Sequence, residues 1–154
     1  MDHENSQPHP SEIAMQDKEQ LSLLKSFMES STDYSIIEID LNGNIIAWNE
    51  GAKRLYCYDI AEILGKSHDA LYHSDDIQSG KINKIFNTVL QKEKWSGVLR
   101  CVNKKAQYFN VFATITLLKD INNITGFILI SRDLSELEHV LKILLIFPDW
   151  ISSE

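Results

Sequence analysis

The sequence has few cysteines and no long apolar run, and both shortages exclude whole classes of protein. Its two cysteines, Cys57 and Cys101, lie far apart and outside any Cys-x-x-Cys or Cys/His spacing, so neither a disulfide framework nor a zinc site is predicted. The longest apolar stretch, 143–147, is far shorter than the roughly 20 residues that span a bilayer. The N-terminus lacks the basic start and apolar run of a signal peptide. We therefore expect a soluble cytoplasmic protein without membrane contact.

Basic residues are also in short supply. Lys and Arg number 15 against 22 Asp and Glu, which gives a net charge of −7 at pH 7. No Lys/Arg stripe is present, and nucleic-acid binding depends on basic patches that neutralise phosphates, so nucleic acid is excluded as the main partner. Several acidic residues and two of the three prolines fall near the N-terminus. Residues 1–15 are therefore predicted to be a flexible acidic tail.

Amphipathic helices are predicted at both ends of the chain. Residues 16–30 and 134–154 carry apolar side chains at helical spacing, and Pro148 stops the second pattern. Asp133 and Glu136 have the spacing of a capping box at the start of that second helix. A small sheet cannot cover both apolar stripes, so their side chains are predicted to form a homodimer interface. The interface candidates are Leu21, Leu24, Met28, Leu137 and Leu141.

Between these helices, the order of strand and helix patterns predicts an α+β fold. Two β-rich runs, 34–40 and 44–48, flank an Asn42-Gly43 pair, which is a strong hairpin signal. Short helical stretches follow, and residues 81–91 repeat apolar side chains with the period of a helix. Strand-like runs with a period of two come last, at 95–102, 107–118 and 124–131. Two strands, then helices, then three strands cannot form a simple meander, so the helices are expected to cross one face of a five-stranded antiparallel sheet.

This organisation and a series of short motifs resemble the PAS family, specifically its bacterial S-box type, over residues 21–138. The motifs are the turn and Ile-x-x-Trp-Asn at 43–49, then 50–55, 58–66, 71–76, Trp95-Ser96-Gly97, Gly126-Phe127 and 132–136. The resemblance implies a PAS domain at 31–133 with strand order 2-1-5-4-3. Three features depart from the family pattern. Cys57 replaces a common Gly, Ser74 replaces a Pro, and Lys104-Lys105-Ala106 lacks the Gly of a turn, which is expected to change its type.

PAS domains differ in what they hold, so a cofactor has to be argued from individual residues. The Asn-Cys-Arg motif of light-sensing flavin relatives is absent. Trp95-Ser96-Gly97 resembles a strand of flavin-holding redox sensors, and Asn103 and Asn110 could hydrogen-bond a planar ring. No histidine lies within 81–91, where haem-binding relatives commonly supply one. His68 and His73, just before that helix, are the haem-ligand candidates.

Any pocket is expected between the 81–91 helix and the inner face of the sheet, although the sequence leaves open which face is inner. Its candidate lining is Ile39, Leu71, Ile85, Phe86, Val89, Phe112, Thr114 and Ile128. A fully packed interior would make the domain an interaction module without a ligand. The expectation is no bound cofactor and no metal, with FAD and haem as the alternatives.

The sequence predicts a sensory and signal-relay domain and no enzyme. No Ser/His/Asp or paired-carboxylate arrangement is present, and His139 lacks the context of a phosphorylated kinase histidine. Arg132-Asp133-Leu134-Ser135 resembles the signal-transmitting Asp-Ile-Thr-like motif of the family, so Arg132, Asp133 and Glu136 are the relay candidates. Output is expected through ligand- or partner-modulated dimerisation and helix movement, to a second subunit or a separate signalling protein. A flavin or haem redox or gas sensor is the alternative, and a small enzyme the remote one.

Overall fold

A computed structural model describes residues 33–146 together with four isolated positions, Lys18, Glu19, Ser22 and Ser26; for 136–138, 140, 141 and 146 only the backbone is described. The strands are β1 (Ser35–Asp40), β2 (Ile45–Trp48), β3 (Lys94–Val102), β4 (Tyr108–Lys119) and β5 (Ile124–Asp133). The helices are α1 (Glu50–Tyr56), α2 (Ile60–Ile63), a 3₁₀ helix (His68–Leu71), α3 (Ser74–Gln78), α4 (Lys81–Lys92) and α5 (Ser135–Ile146).

The five strands form one antiparallel sheet in the order β2-β1-β5-β4-β3. This confirms the predicted order and the α+β fold. The β1–β2 turn owes its shape to Asp40 as well as to Asn42-Gly43. The Asp40 carboxylate accepts hydrogen bonds from the backbone N–H groups of Asn42 and Asn44, both at 2.9 Å, and Gly43 supplies the left-handed conformation at φ 84°.

The core lies between α4 and one face of the sheet. On β4 the buried side chains alternate with more exposed ones, as a strand with one covered face requires. The buried set is Val111, Ala113, Ile115 and Leu117. From the helix side, Ile82, Ile85, Phe86 and Val89 are buried against them. This inner face is the one that the sequence alone left undetermined.

The turn between β3 and β4 corrects one expectation. Ala106 keeps the left-handed conformation, at φ 61°, where the family pattern places glycine, so the substitution did not change that backbone position. Asn103 stabilises the turn, because its Oδ1 accepts hydrogen bonds from the N–H groups of Lys105 and Gln107, both at 3.0 Å. Its Nδ2 also donates to the Gln107 side chain at 2.9 Å. Three hydrogen bonds of the Asn103 side chain therefore stabilise the turn that contains Ala106.

Candidate functional site

The junction between β5 and α5 is a link of one residue with hydrogen bonds on both sides. The Asp133 carboxylate accepts hydrogen bonds from the N–H of Ser135 at 2.9 Å and from its hydroxyl at 2.6 Å. The N–H of Leu134, the linking residue, donates to the carbonyl of Asn110 on β4 at 3.0 Å. The side chain of Glu136 lies outside the described residues. The start of α5 is thus held by the last residue of β5 and by the neighbouring strand.

Arg132 connects the same junction to the segment that enters the domain. It lies on the exposed face of the sheet, and its guanidinium carbon is 5.8 Å from the ring centroid of Tyr34, just before β1. A cation at this distance is attracted to the aromatic face. Entry into β1 and exit from β5 are therefore in contact through these two side chains.

Asn49 fixes the helix that packs beside this junction. Its Oδ1 accepts hydrogen bonds from the N–H groups of Ala52, at 2.8 Å, and Ile36, at 2.9 Å, and its Nδ2 donates to the carbonyl of Tyr34 at 3.0 Å. The sequence predicted only the cap of α1, and the structure adds the bonds to β1. The close packing of α1 on this segment requires glycine at position 51, because a Cβ there would lie 2.0 Å from the Tyr34 carbonyl oxygen.

The residues of the predicted pocket do not all come together between α4 and the sheet. The structure corrects the predicted placement of Phe112 and Thr114. Both side chains lie on the outer face of β4, away from α4; Phe112 is 49% exposed. Phe86 does lie on the inner side, where its ring contacts Phe127 at 5.0 Å and His68 at 4.6 Å between centroids. These aromatic contacts lie beside α4, where the sequence predicts any pocket for a planar cofactor.

Ile128 is also on the outer face of the sheet, because its neighbours Phe127 and Leu129 are the buried residues of β5. The remaining candidates of the predicted lining, Ile39, Leu71, Ile85 and Val89, are buried members of the hydrophobic core. They pack against one another and against the sheet as core residues do.

The residues considered for a flavin have other contacts. The Trp95 indole lies over Gly97, where a Cβ would approach the ring to 2.7 Å, and Trp95 packs at the edge of the core. Asn103 belongs to the β3–β4 turn. Asn110 lies on the outer face, and its carbonyl accepts from Leu134. The three side chains are therefore dispersed over two faces and a turn.

His68 is packed among aromatic side chains. Its Nδ1 lies 2.8 Å from the Tyr72 hydroxyl, and its Nε2 is 4.0 Å from an Asp69 carboxylate oxygen. Burial lowers the pKa of the His68 imidazole, because the charged form loses hydration, while Asp69 acts in the opposite direction. A neutral ring in these contacts stabilises the 3₁₀ segment against α4.

His73 caps α3. Its Nδ1 accepts a hydrogen bond from the N–H of Asp75 at 3.1 Å, and its ring lies 4.7 Å from that of Tyr108. Within the part of the chain that the structure describes, no group of three His, Cys, Asp or Glu side chains could hold a metal ion.

The two cysteines are free and differ in surroundings. Cys101 is buried, the Tyr56 hydroxyl donates to its sulfur at 3.6 Å, and burial raises the pKa of its thiol to about 12. It is therefore protonated at neutral pH and unsuited to nucleophilic or redox chemistry. Cys57 ends α1 in a left-handed conformation at φ 65°.

A partly buried ion pair between α3 and β3 was not predicted from the sequence. Asp76, 5% exposed, accepts two hydrogen bonds from Arg100, from Nε at 3.0 Å and from Nη2 at 2.6 Å. The hydrogen bonds from Arg100 hold the pKa of the Asp76 carboxyl below its usual value. The two residues are 24 positions apart, so no local sequence pattern predicts the pair.

The structure describes only the backbone of two of the predicted interface residues. Leu21, Leu24 and Met28 lie outside the described residues, and for Leu137 and Leu141 only the helical backbone of α5 is described. The four N-terminal positions that are described are helical, polar and exposed. The interface stays a prediction.

The family model for the PAS domain matches residues 33–136, which include the whole sheet and the junction. The chain belongs to the PAS domain family. As a PAS domain it is a sensory domain of the kind found in signalling proteins. Among the described residues, no helix is long and apolar enough to cross a membrane.

Similar proteins include one two-component protein by sequence and several PAS domains by structure. The chain is 29% identical over 112 residues to "Two-component system protein A" of Emericella nidulans; the match covers 73% of this chain and 16% of the relative's length. The PAS domain of a protein from Colwellia psychrerythraea has a similar structure, with a TM-score of 0.69, 23% identity, and coverage of 74% of this chain and 96% of that one. A PAS domain from a two-component sensor histidine kinase has a TM-score of 0.63 at 13% identity, covering 76% and 98%.

Proposed function

We propose that this PAS domain relays a signal by changing the orientation of α5 relative to the sheet, within a homodimer. The observation that carries this proposal is the junction of Asp133, Leu134 and Ser135. Its hydrogen bonds join the helix start to two adjacent strands. A shift of β5 against β4 would therefore change the direction in which α5 leaves the domain, since one residue leaves little freedom for the link.

The outer sheet face supports a second copy of the chain as the partner. We define this face by Ile36, Val98, Phe112, Thr114 and Ile130. Val98 and Phe112 are paired across β3 and β4 and are each 49% exposed. Adjacent exposed apolar side chains on a strand surface favour a covering partner. On α5, Ile143 and Leu145 are exposed as well.

The apolar stripes of the terminal helices would complete the dimer. Leu21, Leu24 and Met28 precede β1 in the sequence, so a helix carrying them would end shortly before the sheet begins. Together with Leu137 and Leu141 they supply the apolar surface that the outer sheet face would bury. This arrangement is proposed from the sequence pattern and from the exposed side chains above.

Sedimentation velocity tests the dimer. We expect the full chain to sediment as a dimer, and the chain lacking residues 1–30, or carrying Phe112→Glu, to shift towards the monomer. The control is Ile121→Glu, which adds the same charge at a side chain 97% exposed in the β4–β5 turn. A monomeric full chain, or equal behaviour of the two glutamate variants, would contradict the proposed interface.

The similarity to a two-component protein supports a place in two-component signalling. The output would pass to a second subunit or to a separate signalling partner. The proposed location is the cytoplasm, in line with the sequence expectation.

A cofactor-bearing sensor is the second candidate, because Trp95-Ser96-Gly97 resembles the strand of flavin-holding relatives. The contact of the Trp95 indole with Gly97 and the aromatic packing of Phe86 favour a domain without a planar cofactor. An absorption spectrum of the purified chain separates the two, since flavin and haem absorb visible light. A colourless protein is expected; a stoichiometric flavin or haem band would support the sensor.

A further inference from the structure

Two buried serine side chains lie side by side at the end of the β1–β5 ladder. Ser35 and Ser131 are paired across the antiparallel strands, and they are 2% and 1% exposed. Neither hydroxyl has a hydrogen bond to any described residue. Buried polar groups in folded proteins are nearly always hydrogen-bonded, and an unpaired one destabilises the structure around it. The serine pair is therefore an unfavourable element inside the core.

The buried hydroxyl of Tyr56 lies near Ser131 but bonds another residue. It donates to the Cys101 sulfur at 3.6 Å, and sulfur is a weak acceptor. Burial raises the pKa of the Tyr56 hydroxyl well above its usual value, so the hydroxyl keeps its proton. The nearby Ser131 hydroxyl acts on this pKa in the opposite direction. A small displacement of β5 would bring the two hydroxyls within hydrogen-bond distance.

β5 loses one of its two neighbouring strands at the same position. Among the described residues, Ser131 is the last of β5 that pairs with β1, whereas Arg132 and Asp133 pair only with β4. Beyond Ser131, the exit strand contacts the entry segment where Arg132 approaches the Tyr34 ring at 5.8 Å. Both of these side chains are exposed, and a cation–π contact at an exposed site is weak. The end of β5 is therefore held mainly by β4.

The backbone groups of the serine pair belong to the β1–β5 ladder. Ile36, next to Ser35, has both of its backbone groups bonded on the other side of β1. Its N–H donates to Asn49 Oδ1 at 2.9 Å, and its carbonyl accepts from the Asn49 N–H at 3.2 Å. Backbone groups alternate in direction along a strand, so those of Ser35 and Ile37 point towards β5. Their amide protons therefore report on the separation of the two strands.

We propose that the Ser35–Ser131 pair is the hinge at which β5 separates from β1 when the domain signals. In the open arrangement both hydroxyls would gain hydrogen-bond partners, Tyr56 for Ser131 and solvent for Ser35. These new bonds lower the free energy that the opening requires. The end of β5 would then turn about its remaining pairing with β4.

The role of the hinge in signalling rests on the proposed function. Asp133, which bonds the first residue of α5, lies two residues beyond Ser131 on the same strand. A change in the direction of β5 at Ser131 would therefore reach α5 through Asp133. The serine pair would thus locate, inside the core, the strand movement that the relay requires.

Hydrogen exchange of the backbone amides in the full chain tests the hinge. In wild type the amides of Ser35 and Ser131 should exchange through a local opening, at rates that low urea concentrations do not change. These rates should exceed those of Ile37 and Leu129, the next pair of the ladder. Exchange of the serine amides only through global unfolding, with rates that rise with urea, would overturn the proposal.

Replacing the hydroxyls separates the hinge from simple fraying of a strand end. Ser35→Ala and Ser131→Ala each remove an unpaired hydroxyl from the closed state, so protection of the two amides should rise about tenfold. The melting temperature should rise as well. Fraying does not depend on the hydroxyls, so unchanged protection would overturn the hinge. A lower melting temperature of both variants would also overturn it, because the hydroxyls would then be bonded in the folded protein.

Ser96→Ala is the matched control. Ser96 and Thr114 are likewise paired across antiparallel strands, but their hydroxyls are hydrogen-bonded at 3.0 Å. Removing this bond should leave the melting temperature unchanged or lower it, and should leave protection at Ser35 and Ser131 unchanged. An equal rise in protection in this variant would contradict the special role of the unpaired hydroxyls.

The exchange measurements do not depend on α5, so the hinge and the relay can fail separately. Local opening at the serine pair, together with an α5 orientation that Asp133→Ala does not change, refutes the proposed function and leaves the hinge in place. A relay through Asp133 without local opening at the serine pair refutes only the hinge.

Discussion

Arg100 binds Asp76 through two parallel hydrogen bonds, Nε to Oδ2 at 3.0 Å and Nη2 to Oδ1 at 2.6 Å, and so joins α3 to β3. The Asp76 side chain is 7% exposed and the Arg100 side chain 46%. The buried partner is thus the carboxylate, and the hydrogen bonds from Arg100 stabilise its charged form. Removing Arg100 would leave that carboxylate without its main partner.

Acid unfolding should report this pair. The pKa of Asp76 lies below its unfolded value, which is near 3.8. The stability that Asp76 contributes is therefore present above about pH 4 and is lost as the pH falls through the lower folded pKa. Asp76→Asn is expected to lower the melting temperature at pH 7 and to flatten its decline below pH 4. The control Arg100→Lys keeps the charge but loses the paired hydrogen bonds. Its melting temperature should lie between those of wild type and Arg100→Gln. If the melting temperature of Asp76→Asn declined below pH 4 as steeply as that of wild type, this role of Asp76 would be contradicted.

Two departures from the family pattern should cost stability. Cys57 and Ala106 adopt left-handed conformations at φ 65° and 61°, at the positions where the resemblance places glycine. A left-handed residue costs about 1–2 kcal/mol unless it is glycine, while glycine loses about 0.5–1 kcal/mol in chain entropy. Cys57→Gly and Ala106→Gly should each raise the free energy of unfolding by about 0.5–1 kcal/mol, measured by urea denaturation. Lys105→Gly, in the same turn without a positive φ, is the control and should destabilise. Lower stability of both glycine variants would contradict backbone strain at Cys57 and Ala106.

Gly97 is predicted to be required by Trp95. Gly97→Ala places a Cβ 2.7 Å from the indole, so the ring has to move, at a cost of about 1–3 kcal/mol typical of overpacking. We expect a lower unfolding midpoint and a red-shifted tryptophan emission. In a Trp95→Leu background the same alanine should cost much less. Equal costs in the two backgrounds would show that the ring contact does not explain the glycine.

His68 should make stability fall in mild acid. Burial lowers its pKa from 6.5, so the unfolded chain binds a proton more readily than the folded one. Its effect is absent above about pH 6.5, and stability declines as the pH falls from there towards the folded pKa. Melting temperatures of wild type and His68→Gln between about pH 7 and pH 5 measure this difference. The variant should be less stable at pH 7 but less sensitive to acid. Parallel curves would contradict a buried neutral His68.

Local patterns were sufficient for the strands but insufficient for the faces of the sheet. The Asn42-Gly43 turn and the period of two in β3, β4 and β5 predict the β1–β2 hairpin and the strands, because both signals are local. The strand order, with β5 beside β1, was implied by the family resemblance. On β4, however, Phe109 and Phe112 stand on opposite faces with similar side chains, so the pattern does not distinguish the inner face. The prediction consequently places Phe112 and Thr114 in a pocket beside α4, whereas their side chains lie on the opposite face of the sheet.

The features that the sequence did not predict depend on contacts between residues far apart in the chain. The Asp76–Arg100 pair joins residues 24 positions apart, and only the folded chain brings α3 and β3 together. Asn49 was predicted as a cap from its place before a helix, whereas its bonds to β1 required the register of the strand. The relay motif was visible from its resemblance, and its geometry came from the structure.

The orientation of α5 tests the relay most directly. Spin labels at Ile121, in the β4–β5 turn, and Lys142, exposed on α5, would report the distance between sheet and helix in chains carrying Cys57→Ser, diluted with unlabelled protein. Asp133→Ala removes the contact with Ser135 and about 1 kcal/mol of capping, whereas Asp133→Asn keeps an acceptor oxygen. The account predicts a narrow distance distribution in wild type and Asp133→Asn, and a broadened or shifted one, with altered dimerisation, in Asp133→Ala. The same narrow distribution and the same sedimentation in all three would contradict it.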